Sequence, residues 1–92
     1  MDSKYAEQAE RLRAKLAKEK WPQKYMFKFI MPNSQETIDK VLEILPTNGK
    51  TTFNNSKNGK YVAITCVTTM MSAEAVMDIT TKACEIPNVM SL

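Results

Sequence analysis

A lysine set between Met26 and Ile30, in the run Tyr25-Met26-Phe27-Lys28-Phe29-Ile30-Met31, is the group in this sequence best suited to contact an anion. An ammonium on an apolar face holds a carboxylate or phosphate more strongly than one surrounded by water. Tyr61 and Thr65 lie in a second alternating run and supply hydroxyls that can join Lys28. Met26 and Ile30 supply the apolar flanks, so these five residues form the candidate ligand or partner site. Plainer readings stand beside this one. Lys28 is then a snorkelling side chain on a partly exposed sheet, and Tyr61 an aromatic that packs on its neighbour at a strand start.

Other reactive groups point away from catalysis. The chain has no histidine, so nothing obvious serves as a base for Cys66, Cys84 or a serine or threonine nucleophile. The two cysteines lack CxxC spacing, one in a strand pattern and one in a helix pattern, and read as inert core thiols in a reducing compartment. Without clustered thiolates or imidazoles no metal site and no cofactor are expected. Asp39, Glu43, Asp78 and Glu85 fall on solvated helix faces. The chain is therefore read as not an enzyme.

These residues need a sheet to carry them. Gln23 to Met31 alternates, with Tyr25, Phe27, Phe29 and Met31 on a core face and Met26, Lys28 and Ile30 on the other. Asn33 with Glu36 forms a capping box ahead of Ile38, Val41, Leu42 and Leu45, which predicts a helix over 34–45. Lys50 to Lys57 and Lys60 to Thr68 flank Asn58-Gly59, the signature of a hairpin with a two-residue type I′ turn. Pairing Lys57 with Lys60 sets Asn55 opposite Val62, Phe53 opposite Ile64 and Thr51 opposite Cys66 on the core face. Tyr61, Ala63, Thr65 and Val67 then occupy the open face. Ser72 caps a helix from Ala73 to about Glu85, with Val76, Ile79, Ala83 and either Met77 or Cys84 turned inward, and Val89 to Leu92 is a last short strand.

Ahead of this lies a segment without Gly or Pro, Ser3 to Lys20, in which Tyr5, Ala9, Leu12 and Leu16 recur at helical spacing. Pro22 stops it. The organisation is therefore an amphipathic helix over residues 1–20 and a domain over residues 21–92. Its α+β order is β-α-β-β-α-β, a four-stranded antiparallel sheet with strands one and three central and two helices on one face.

The charge has a location. Of the net +3, all resides in residues 1–24, which hold seven Lys and Arg against four Asp and Glu, while residues 25–92 balance. A neutral body is poorly suited to a phosphate backbone. Tyr61 is also the single aromatic on the open face, where base stacking needs several, so nucleic-acid binding is a distant reading. Charges run throughout Met1 to Lys20, and no apolar run nears the roughly 20 residues that span a bilayer, which predicts a cytoplasmic chain without a membrane span.

Taken in order, Trp21-Pro22, the strand containing Lys28, Ser56-x-x-Gly59-x-Tyr61, Ser72-x-Glu74 and Pro87-x-Val89-x-x-Leu92 resemble the YbeD-like family of small uncharacterised bacterial proteins. The resemblance covers residues 21–92 and leaves the leading helix outside. It implies a ferredoxin-like sandwich similar to ACT-type regulatory domains, and no established activity. Acyl phosphate hydrolysis on such a scaffold needs an arginine after the first strand, where this chain has Pro32-Asn33-Ser34.

Met26, Ile30, Ala63 and Val67 make the open face more apolar than a solvated sheet, so a cover is expected. Within the chain the candidate is the leading helix, through Tyr5, Ala9, Leu12 and Leu16. Between chains it is a second copy, giving a homo-oligomer, or an unidentified protein partner. The function expected is a non-enzymatic interaction or regulatory module. A small-molecule effector, sensed in the ACT-like manner, is the alternative.

Overall fold

The computed structural model describes residues 3–92, with side-chain surroundings from Glu7 onward. The elements are α1 (Ser3–Ala17), β1 (Gln23–Pro32), α2 (Gln35–Ile44), β2 (Lys50–Asn55), β3 (Tyr61–Met70), α3 (Ala73–Cys84) and β4 (Met90–Ser91). They form a mixed α+β unit with three helices and one antiparallel sheet, in the strand order β2-β3-β1-β4. The two strands richest in apolar residues are central, where both of their edges can be paired.

Alternation places the core. Phe27, Phe29 and Met31 of β1 meet Val62, Ile64 and Cys66 of β3 in register, all on the helix-bearing side. Against them pack Val41 and Leu45, Val76, Met77 and Ala83, and Val89 just before β4. Tyr25 meets Phe27 edge to face with centroids 4.9 Å apart, and Phe27 stacks beside Phe29 at 6.2 Å, so the aromatic side of β1 is a continuous strip. In α3 the inward face is Val76, Met77, Thr80 and Ala83, with Ile79 half-buried. Gly49 enters β2 where a Cβ would lie 2.6 Å from the Cys66 sulfur, so this position tolerates no side chain without movement in the core.

The hairpin register is the expected one: Asn55 stands opposite Val62, Phe53 opposite Ile64 and Thr51 opposite Cys66. The turn differs. Gly59 alone in it has a positive φ, 73°, and the Gly59 amide donates to the Ser56 carbonyl at 2.9 Å. Ser56 pairs with Tyr61, and its hydroxyl accepts from the Tyr61 amide at 3.0 Å while the Asn58 side-chain oxygen accepts from the Lys60 amide at 3.1 Å. Four residues thus close the hairpin through a hydrogen-bonded turn ending in a left-handed glycine. Their number is even, which leaves the register unchanged.

Three further expectations are corrected. Phe53 is on the core-facing side but 55% exposed, because the helices pack on β1, β3 and β4 and the β2 edge lies at the rim of that layer. Asn33 does not cap α2: its side-chain amide donates to the Gly59 carbonyl at 3.0 Å, tying the end of β1 to the hairpin turn. Ser34 takes the cap position without a side-chain hydrogen bond. The leading helix does not cover the open sheet face. It packs against α3 in the helical layer, and Leu16, only 1% exposed, is part of the core. The Leu16 carbonyl accepts from the Trp21 indole N–H at 3.1 Å, and Arg13 reaches Glu74 at 3.7 Å. The Tyr5 side chain, expected on that helix's apolar face, lies outside the described residues.

Candidate functional site

The face of the sheet opposite the helices follows from the same alternation. On β1 it carries Lys24, Met26, Lys28 and Ile30, and on β3 Tyr61, Ala63, Thr65, Val67 and Thr69. Register then builds rows across the strands. Lys28 stands opposite Thr65, and Thr65 opposite Thr52, so one ammonium and two hydroxyls form a polar line across β1, β3 and β2. On either side lie apolar pairs: Met26 opposite Val67, and Ile30 opposite Ala63 on one neighbour and Met90 on the other. The Leu92 amide donates to the Lys28 carbonyl at 2.8 Å, which sets Leu92 beside Lys28 at the edge.

Four of the five expected site residues are therefore neighbours. Met26, Lys28, Ile30 and Thr65 share one patch, with Thr65 and Ile30 half-buried and Lys28 exposed. Tyr61 shares the face but pairs with Pro32 at the far end of β1. Four residues of strand separate it from Thr65, about 13 Å at 3.3 Å per residue, so Tyr61 lies outside the row that Lys28 and Thr65 form.

β4 adds what the sequence reading left out. Met26 and Tyr61 are 59% and 49% exposed, and Met90 and Leu92 reach 61% and 66% on the same face. The signal was present in Val89-Met90-Ser91-Leu92, since a buried Val89 fixes Met90 and Leu92 on the opposite side to Ser91. An arrangement of methionine, leucine and isoleucine around one lysine suits a protein surface with apolar side chains and a carboxylate at its centre.

A second concavity was not foreseen. Gln8, Leu12, Met77, Thr80, Thr81, Cys84 and Val89 are among the residues around a cavity of about 440 Å³ between α1, α3 and β4. Among the described residues its lining carries hydroxyls, an amide and a thiol but no charged side chain, and Lys28 takes no part in it. It arises because α1 lies along α3, a placement that helical spacing alone does not reveal. Tyr25 has a displaced ionisation: burial raises its pKa above 10.0, and the Glu19 carboxylate raises it further. Among the described residues no three His, Cys, Asp or Glu side chains gather as a metal site, and no helix is long and apolar enough to cross a membrane.

A family described as "Protein of unknown function (DUF493)" matches residues 17–92. The chain belongs to that family. The DUF493 span holds the whole sheet, α2 and α3, so every residue of the open face falls inside it, whereas α1 falls outside except for its last residue. No curated protein and no solved structure matches the chain.

Proposed function

We propose that this DUF493 protein is a non-enzymatic association module that works through the open face of its sheet. The observation that carries the reading is the exposed group of Met26, Met90 and Leu92 around Lys28, with Tyr61 exposed further along the same face, which no helix of the described residues covers. Burying a methionine or leucine side chain is worth about 1.5–3 kcal/mol, so covering this group stabilises a complex appreciably. Lys28 and Thr65 supply the polar contact that fixes orientation. The order β-α-β-β-α-β with β1 and β3 central supports reading the fold as ferredoxin-like and ACT-like, and the family as the YbeD-like one. A cytoplasmic location belongs to the same reading.

The test is association of the full chain, followed in the analytical ultracentrifuge over a concentration series and in its own cells by a photo-crosslinker at Tyr61. We expect a complex that the double substitution Met26→Ser with Met90→Ser weakens at least about tenfold while the far-ultraviolet circular dichroism is retained. A strictly monomeric chain with no crosslinked protein ends the proposal.

The 440 Å³ cavity between α1, α3 and β4 favours a second reading, an ACT-like sensor of an uncharged small molecule with an apolar body. A metabolite thermal-shift panel with no stabilised condition removes it.

A further inference from the structure

Among the described residues, half of β1 has one side without a strand. β3 pairs with β1 from Gln23 to Pro32, whereas β4 reaches only Phe29 and Ile30, with Leu92 bonded to Lys28 just beyond. Because the Lys28 carbonyl accepts from Leu92, the backbone groups of even-numbered β1 residues point toward β4 and those of odd-numbered ones toward β3. The N–H and C=O groups of Lys24 and Met26 therefore point past the end of β4, and no described residue bonds to them. A cleft of about 290 Å³ runs beside this edge, lined by Leu12, Leu16 and Tyr25 and by the charged Lys15, Lys24 and Glu19.

We infer that this edge receives an extended acidic segment of a partner protein, which pairs with Lys24 and Met26 and prolongs the line of β4 along β1. Two donors and two acceptors are already held at strand spacing by β3, so a partner strand finds its hydrogen-bonding template in place. The segment is taken to run antiparallel to β1, as β4 does. The residues opposite Lys24 and Met26 lie on the open face, where Lys24 and Lys28 favour carboxylates. The residue between them turns toward Leu12, Leu16 and Tyr25 and is apolar. A second copy of this chain fits poorly, because β1 and β2 hold lysines and no acidic residue, so edge-to-edge pairing sets like charges side by side. The inference shares Met26 and Lys28 with the open-face association, and its test is separate because it reads the backbone groups of the edge.

The experiment uses the full chain and a synthetic hexapeptide of alternating glutamate and valine, blocked at both ends. Binding is read by nuclear magnetic resonance as hydrogen-exchange protection of the Lys24 and Met26 amides. The glutamates lie opposite Lys24 and Met26, so their own N–H groups face β1 and those of the valines face away. N-methylation of the glutamates is expected to weaken binding at least about tenfold, whereas N-methylation of the valines leaves it unchanged. The variant Lys24→Pro, which deletes one edge donor, is expected to weaken it similarly while β3 amides stay protected. Any of four results overturns the inference: no protection of the two amides at millimolar peptide, equal effects of the two methylations, equal binding of a lysine and valine hexapeptide, or protection arising from self-association of the chain.

Discussion

Tyr25 shows how one residue reports its position. It lies at the start of the aromatic strip, half-buried between Trp21, 6.4 Å away by ring centroids, and Phe27. Burial first, and then the Glu19 carboxylate, hold its phenol neutral above 10.0. The folded pKa exceeds the unfolded one, so this contribution to stability is complete below pH 10 and is lost as pH rises through the folded value. We expect denaturant midpoints to fall in that alkaline range, and Glu19→Gln to lower the Tyr25 titration seen in phenolate absorbance only partly, since the larger cause, burial, persists. A midpoint flat across the range contradicts the burial argument. The identity of the inward residues on β1 was legible because period-two alternation needs no partner to be read. Phe53 was not, because its alternation is correct and its exposure depends on where the helices stop.

At the scale of elements, α2 and α3 differ in how they begin. The Ser72 hydroxyl accepts from the Ala75 amide at 3.1 Å, whereas the Ser34 hydroxyl makes no cap bond. Ser72→Ala is therefore expected to cost about 1 kcal/mol in denaturant unfolding, and Ser34→Ala much less than half of that. Equal costs would show that the cap geometry is not what distinguishes these serines. The sequence pattern made both positions look capped, through Ser72 and through Asn33 with Glu36. Asn33 instead serves the hairpin, and Glu36 pairs with Lys40 at 3.5 Å. Hairpin register was legible from Asn58-Gly59 and alternation, yet the turn type was not, because several backbone conformations close the same pair of strands.

For the whole molecule, the position of α1 decides most. An amphipathic stripe states that a helix face is buried and is silent about which surface buries it. Here the stripe goes to the α3 side and the open face is left without a helix, which moves the candidate site from a covered surface to a displayed one. Leu16 carries the attachment, so Leu16→Ala is expected to destabilise the full domain by about 2–5 kcal/mol in a single cooperative transition. A change below about 0.5 kcal/mol would mean that α1 is an appendage to a domain that folds without it.

The hydrogen bond from Leu92 to Lys28 has a practical side for anyone handling this protein. β4 runs antiparallel to β1, so whatever follows Leu92 is delivered to Phe27, then Met26, then Lys24. An affinity tag joined there is not a neutral handle. An acidic epitope or a flexible linker at that end is threaded toward the vacant edge at high local concentration, whereas a tag placed elsewhere leaves the edge free to be assayed.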